Sequence, residues 1–320
     1  MKTRMKMNGM IGACAACAAF LGTASPAADL LQSGPSALAA PMQNQAPSAR
    51  EAALGGAAVA LDGPDALWAN PAGLAGQKGL DFGLDHLSWI DGVIQESAWA
   101  AQSLGAWGGL GEGVRYADYG TFDVRDDQGN LTGSTTANGF EGQVGWGAAF
   151  DRRFSAGVSV EYSQSQLAGY AVSAYSGSVG ATYKAGAGFE AAAAWENKGK
   201  TSDGSLMESS VDIGASETMG VLSDQEWVVT VQDSLEPSGV GEFQAGVEDL
   251  VAHLIALRLG YQSGVGAGDL AGFTAGVGVH YGPFNVDYAA QPLGDLGTAQ
   301  RVDLAYHFGG TSAPGTKSTH

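Results

Sequence analysis

The sequence predicts an all-β fold: a transmembrane antiparallel β-barrel of about 14 strands in a bacterial outer membrane. Three observations carry that prediction. From Gly79 onward, segments long enough to cross a bilayer alternate apolar and polar residues. The chain opens on an export leader and keeps no cysteine after it. No later stretch is an uninterrupted apolar run of the ~20 residues that a spanning helix needs; LVAHLIAL (250–257) is short and carries His253.

Residues 1–28 read as a secretory signal peptide. Lys2, Arg4 and Lys6 form its basic start, Gly9 to Gly22 its short apolar run, and Ala24-Ser25-Pro26-Ala27-Ala28 its cleavage region. Cys14 and Cys17 leave with it, so the processed chain holds neither a disulfide nor a thiolate metal site. Cys17 lacks the upstream leucine expected of a lipoprotein signal. The full chain has 15 Lys+Arg against 33 Asp+Glu; losing the three basic residues of the leader leaves 12 against 33, a net charge of −21. Phosphate backbones are bound through Lys and Arg, so this charge excludes nucleic acid as a partner. Yet only 15% of residues are charged, which is low for a soluble surface, and 50 are glycine.

Residues 29–49 mix Ser, Pro, Gln and Ala without a period and read as a flexible periplasmic lead-in. Residues 50–60, REAALGGAAVA, read as a short helical or irregular segment broken at Gly55-Gly56. Residues 61–75, LDGPDALWANPAGLA, concentrate turn formers. Pro71 fixes its own φ and biases Asn70 away from helix. Asn70 can bond nearby backbone, and Gly73 admits a left-handed turn. On residue types alone, this stretch is a turn before the first strand.

The strands follow. Phe140, Gly142, Val144, Trp146, Ala148 and Phe150 share one face, and Glu141, Gln143, Gly145, Gly147 and Ala149 the other. Ten steps at ~3.3 Å each give roughly 33 Å, and a tilt of about 40° leaves a rise of roughly 25 Å, the apolar band of an outer-membrane barrel. Soluble strands are about five or six residues long. The same alternation runs through Phe154–Tyr162, Phe273–Tyr281 and Val302–Phe308. An acid facing lipid is penalised, so Glu141, Glu161 and Asp303 should face the lumen. The candidate strands are 79–89, 93–103, 106–117, 138–150, 153–165, 171–183, 187–197, 209–217, 226–233, 242–249, 253–262, 272–281, 284–290 and 299–308, with the least regular alternation across 205–241.

Short turns at 151–152, 184–186, 249–252 and 282–283 alternate with polar loops at 118–137, 198–208, 234–241, 263–271 and 291–298. Short turns belong in the periplasm and long loops outside, and an even strand count puts both termini in the periplasm. Ile90-Asp91-Gly92 is a tight connection on the outer side.

Signals of catalysis are missing. There is no G-x-S-x-G elbow, Walker A loop or H-E-x-x-H, and NKGKT (197–201) lacks the leading glycine because position 194 is Ala. The five histidines are scattered, with His280 and His307 at lumen-facing positions. DVRDDQGN (123–130) lacks the spacing and closing Glu of a calcium loop; Asp127–Asn130 reads as a hairpin tip, as does SDG at 202–204. The reading is a non-enzyme with no catalytic, cofactor-binding or metal residues.

REAALGGAAVALDGPDALWANPAGLA (50–75) followed by HLSWIDGVIQESAWA (86–100) resembles the start of the PorV/PorQ family, which looks related to the FadL-type long-chain fatty-acid transporters of outer membranes. FQAGVEDLVAHLIALRLGY (243–261) and FTAGVGVHYGPFNVDYAAQPLGDLGTAQRVDLAYHF (273–308) extend the resemblance over about 50–308, with gaps near 120–136 and 200–225. The resemblance implies a plug, residues 50–78, inside a barrel of residues 79–308. Its motif residues are Gly55, Gly56, Trp68, Asn70, Pro71, Ala72 and Gly73, with Trp68 anchored on the barrel wall. Val302, Leu304, Tyr306 and Phe308 look like the last-strand signal read by outer-membrane assembly machinery, although a tail, 309–320, follows and reads as disordered. The implied partners are outer-membrane lipid, that machinery, and small hydrophobic compounds bound or passed across the membrane. The alternative is a secretion-associated barrel, PorV-like, that holds or shuttles exported proteins at the cell surface for type IX secretion. Transport calls for an apolar pocket behind the plug.

Overall fold

The computed structural model describes residues 45–308 except 168, 187, 203, 205, 208, 223, 237–240 and 266–269. The predicted leader (1–28), most of the lead-in (29–44) and the tail (309–320) lie outside the described residues.

Residues after 79 form β1 (Leu80–Ser88), β2 (Ile94–Ser103), β3 (Gly109–Arg125), β4 (Leu131–Ala149), β5 (Phe154–Leu167), β6 (Tyr170–Gly186) and β7 (Phe189–Thr201). They continue as β8 (Ser210–Leu222), β9 (Gln225–Leu235), β10 (Gly241–Val251), β11 (Ile255–Gln262), β12 (Phe273–Tyr281), β13 (Phe284–Pro292) and β14 (Thr298–Phe308). The 14 strands form one closed antiparallel barrel. It closes where β14 meets β1, with Leu80 opposite Phe308 and Ser88 opposite Gln300. Closure leaves no strand edge unpaired, which is what lets a sheet stand in hydrocarbon.

The barrel is apolar outside and polar inside. On β4, Phe140, Val144 and Trp146 are exposed while Glu141 is 1% exposed and Gln143 is buried. Leu259 is 63% exposed and its neighbour Arg258 only 2%. Glu141, Glu161 and Asp303 point inward, as a lipid-facing outer wall requires. Aromatic rings gather at both ends of this wall. Phe154–Tyr183 and Phe284–Tyr306 lie at the end where β1 begins and β14 stops, the terminal end. Tyr162–Tyr175 and Tyr261–Phe273 lie toward the opposite end, which carries the β3–β4 hairpin and is called the hairpin end. Two aromatic girdles are the expected boundary of a lipid-facing band.

The stretch 118–137 departs from the expected loop. β3 and β4 stay paired through Thr121–Thr136 to Arg125–Leu131, and only Asp126–Asn130 turns. There the Asp126 carboxylate accepts from Gln128 N, Asn130 N and Asn130 Nδ2 at 2.9, 2.8 and 3.0 Å. This hairpin rises past the girdle, where both faces meet water, so pairing continues without the apolar alternation that marks the lower strands. For the same reason β7 runs on to Thr201 instead of stopping at 197.

Before β1 the chain forms α1 (Ala49–Ala53), α2 (Ala66–Ala69) and a 3-10 helix (Pro71–Gly76). Ser48 caps α1, its Oγ accepting from Glu51 N at 3.3 Å. Ser48 and Ala49 are already buried, at 2% and 0% exposure, so the structured part begins inside what reads as lead-in. Gly55 and Gly56, at φ +72° and +84°, end α1 and turn the chain, a backbone that side chains resist.

Candidate functional site: a filled lumen and the cavity over it

Residues 48–77 lie inside the barrel. Glycines on the inner wall let their backbone approach. A Cβ at Gly147 would stand 2.3 Å from Pro71 O, one at Gly157 2.3 Å from Pro71 C, and one at Gly260 2.2 Å from Gly55 N. Between these close approaches, wall side chains satisfy the backbone of the segment. Thr274 Oγ1 donates to Ala53 O at 3.0 Å, Thr230 Oγ1 to Ala57 O at 3.0 Å, Ser216 Oγ to Ala60 O at 2.7 Å, and Gln143 Nε2 to Leu67 O at 2.8 Å. Gln232 Oε1 accepts from Ala58 N and Val59 N at 2.9 and 2.8 Å. Irregular backbone is tolerated at membrane depth only when it is bonded in this way.

The residues singled out from sequence fall at the tightest points. Asn70 is fully buried and extended (φ −157°, ψ 101°). Its Nδ2 donates to Val59 O at 2.8 Å and its Oδ1 accepts from Ala72 N at 3.1 Å, tying two turns of the segment together. Pro71 opens the 3-10 helix, and Pro71 and Ala72 press on the wall at Gly157. Trp68 lies against β3, the Arg115 guanidinium 3.7 Å from its ring centre and Gly113 beneath its edge. Gly73 differs from its expected role: it does not adopt a left-handed conformation, and is needed because a Cβ would meet Ala66 Cβ at 2.6 Å and Leu61 O at 2.9 Å. Val302, Leu304, Tyr306 and Phe308 alternate along the outer face of β14, the strand that closes the barrel on β1.

Charges fix the segment as well. Arg50 donates to both Glu248 oxygens, at 3.0 and 2.9 Å. Arg258 Nε reaches the same carboxylate at 2.5 Å, and Arg258 Nη1 bonds Asp287. Ala49 N donates to Asp303 Oδ2 at 2.6 Å, and Lys184 bonds Asp62. Residue types alone did not single out Arg50, Glu248 or Arg258. The inward parity of Glu248 and Arg258, directly opposite each other on β10 and β11, was the available signal. On α1, Glu51 is 2% exposed; burial, and then the nearby Asp65, push its carboxyl well above the ordinary range.

A cavity of about 320 Å³ lies between this segment and the hairpin end. Trp68, Arg115 and Gly56 contribute to its floor. One wall is apolar, formed by Leu87, Trp89, Val265, Leu293 and Ala299; Leu87, Leu293 and Ala299 form one buried cluster, and Trp89, Val265 and the nearby Ile90 pack against it. The other wall comes from β7 to β10 and carries Glu196, Asp212, Ser234, Glu242 and Gln244. Ser234 is paired with Asp212 on one side and Glu242 on the other, so these three form a single row. The expected apolar pocket is therefore apolar on one side only. Inward positions of a barrel normally carry polar residues, and the rim near β1 and β14 departs from that pattern. Outside the wall, an apolar recess of about 620 Å³ is lined by Val229, Val247, Leu259, Tyr261 and Phe273; Gly246 and Gly260 back it, with Leu54 and Gly55 on their inner side.

Among the described residues no group of three or more His, Cys, Asp or Glu is placed to hold a metal ion. His280 stands 3.7 Å from Asp287, and His307 bonds Asp81 at 2.7 Å.

No family model matches the chain, and no curated protein matches it. Solved structures do. The toluene transporter TbuX of Ralstonia pickettii superposes with a TM-score of 0.55 at 14% identity, over 82% of this chain and 98% of that one. The Pseudomonas putida toluene transporter TodX gives 0.53 at 13%, over 81% and 96%. A FadL homologue of Pseudomonas aeruginosa gives 0.48 at 9%, over 82% and 98%. At these identities the likeness to TbuX and TodX is one of fold.

Proposed function

We propose that this chain is an outer-membrane barrel that admits small compounds with an apolar body at its hairpin end and passes them across the membrane, with residues 48–77 as its plug. The observation that carries the reading is the cavity: an apolar wall of Leu87, Trp89 and Leu293 stands over a floor that contains Trp68 of the lumenal segment. The fold shared with two toluene transporters supports the same class of cargo. The hairpin end faces outward in this reading, and β14 presents its aromatic-ended outer face to the assembly machinery.

The plug is built to be held and released. Its backbone bonds are made one at a time to Thr, Ser and Gln side chains, each worth about 0.5–1.5 kcal/mol net. Opening must also break the Arg50–Glu248 and Lys184–Asp62 pairs, but none of these ties is a continuous ladder like the one that bonds a barrel strand on both sides.

The test is uptake of labelled toluene by cells with a lipopolysaccharide outer membrane that express the full chain and lack other hydrocarbon barrels. Uptake several-fold above that of cells without the chain is expected. Uptake equal to that of those cells, with the protein folded in the outer membrane, overturns the reading.

A further inference from the structure

Resting on that reading, we infer that the cavity selects compounds that join a protonated amine to a small apolar body, such as an arylalkylamine, over neutral or anionic molecules of the same shape. Its two walls make different demands. Leu87, Trp89 and Leu293 offer only apolar surface, suited to a ring or short chain. The facing wall offers acceptors. Asp212, 4% exposed, has its Oδ2 bonded by Ser210 Oγ at 3.2 Å and its carboxyl also meets Ser234 and Glu196, while its Oδ1 makes no hydrogen bond of good geometry. Gln244, 7% exposed, likewise leaves its Oε1 without a partner. Buried acceptors are normally bonded, so two under-bonded acceptors on residues that line one cavity mark this wall as short of donors, which a ligand can supply.

Charge chooses the donor. No lysine or arginine of β7 to β10 lines the cavity, while Glu196, Asp212 and Glu242 do. Two arginines reach it from elsewhere, and each faces an acid of the wall. Arg301 Nη1 bonds Asp85 at 3.0 Å. Arg115 lies 3.6 Å from Glu141 with its guanidinium face covered by Trp68; its Nε and Nη2 also lack partners, which makes an anionic ligand the competing outcome. The acidic row across β8, β9 and β10 outweighs that single floor cation, and an ammonium group meets it without an unpaired buried charge.

The experiment is a calorimetric titration of the purified full chain in detergent with benzylamine, toluene and benzoate, repeated on Asp212→Asn. Benzylamine is expected to bind at least ~10-fold more tightly than toluene or benzoate, about 1.4 kcal/mol. The substitution is expected to remove most of that preference. Because the three probes are compared on the native protein, the result stands even if the variant fails to fold. Equal binding of all three, tighter binding of benzoate, or a folded Asp212→Asn that keeps the preference overturns the inference. Toluene uptake without amine preference overturns it alone, and failure to bind or take up any of the three overturns the passage reading as well.

Discussion

Arg50 meets Glu248 edge to edge, its Nε and Nη2 each donating to one carboxylate oxygen, at 3.0 and 2.9 Å. The pair joins the first helix of the lumenal segment to β10 of the wall. Arg258 holds the same carboxylate from β11, so Glu248 keeps a partner if Arg50 is lost. Arg50→Ala should therefore free the segment without leaving a bare charge in the wall. A charge-assisted bond is worth about 1.5–3 kcal/mol, and a loss of that size should appear as a lower melting midpoint for the segment and faster proteolysis between residues 50 and 77. Arg50→Lys keeps the charge but not the fork, and should fall between the two. Loss of Glu248 itself should be worse, because it takes a partner from both Arg50 and Arg258 and leaves Arg258, which is 2% exposed, with Asp287 alone.

Bulk at the glycine contacts should displace the segment and spare the barrel. At Gly147 an added Cβ would stand 2.3 Å from Pro71 O, a backbone atom that cannot rotate away. Gly147→Val should still give a heat-modifiable barrel on a gel, with residues 50–77 newly open to protease and a larger conductance in planar bilayers. Gly133, with nothing within 4 Å of its Cβ position, is the control, and Gly133→Ala should change neither readout.

Asn70 joins two turns of the segment with one amide group. Asn70→Ala removes both bonds and leaves Val59 O and Ala72 N buried, at about 1–3 kcal/mol for an orphaned polar group. Hydrogen exchange across residues 57–75 should accelerate by one to two orders of magnitude on that arithmetic, with strand amides unchanged.

The strands were legible because lipid imposes a two-residue period on every spanning segment. The inward turn of Glu141, Glu161 and Asp303 followed from that alone. Above the girdle the constraint lifts, and Asp118–Asn138 lost its signal while keeping its pairing. The lumenal contacts were less legible. Asn70 and Pro71 announced a fixed turn, but the use of Gly73 depends on Ala66 and Leu61, whose approach is tertiary. The bond between Arg50 and Glu248 spans 198 positions, and no local pattern records it. The row Asp212–Ser234–Glu242 needs the register of three strands in the stretch where alternation was weakest.

Glu51 should make the seating of the segment depend on pH. Burial, reinforced by Asp65, holds its carboxyl well above the ordinary range when the segment is seated; Arg50, Arg115 and Arg301 pull the other way without prevailing. Released into water, the group returns to about 4.3. Seating therefore takes up a proton. The contribution is fully present below pH ~4.3 and is lost as pH rises from there toward the seated value, because the ionised group favours release. Asp65, also raised chiefly by its own burial, adds a dependence of the same sign. Protease access to residues 50–77 should thus increase from pH 5 to pH 8. Glu51→Gln, which keeps the shape and removes the charge, should flatten most of that increase and leave the segment better protected at pH 8 than the native chain. An unchanged pH profile in a folded Glu51→Gln barrel would show that the dependence arises elsewhere.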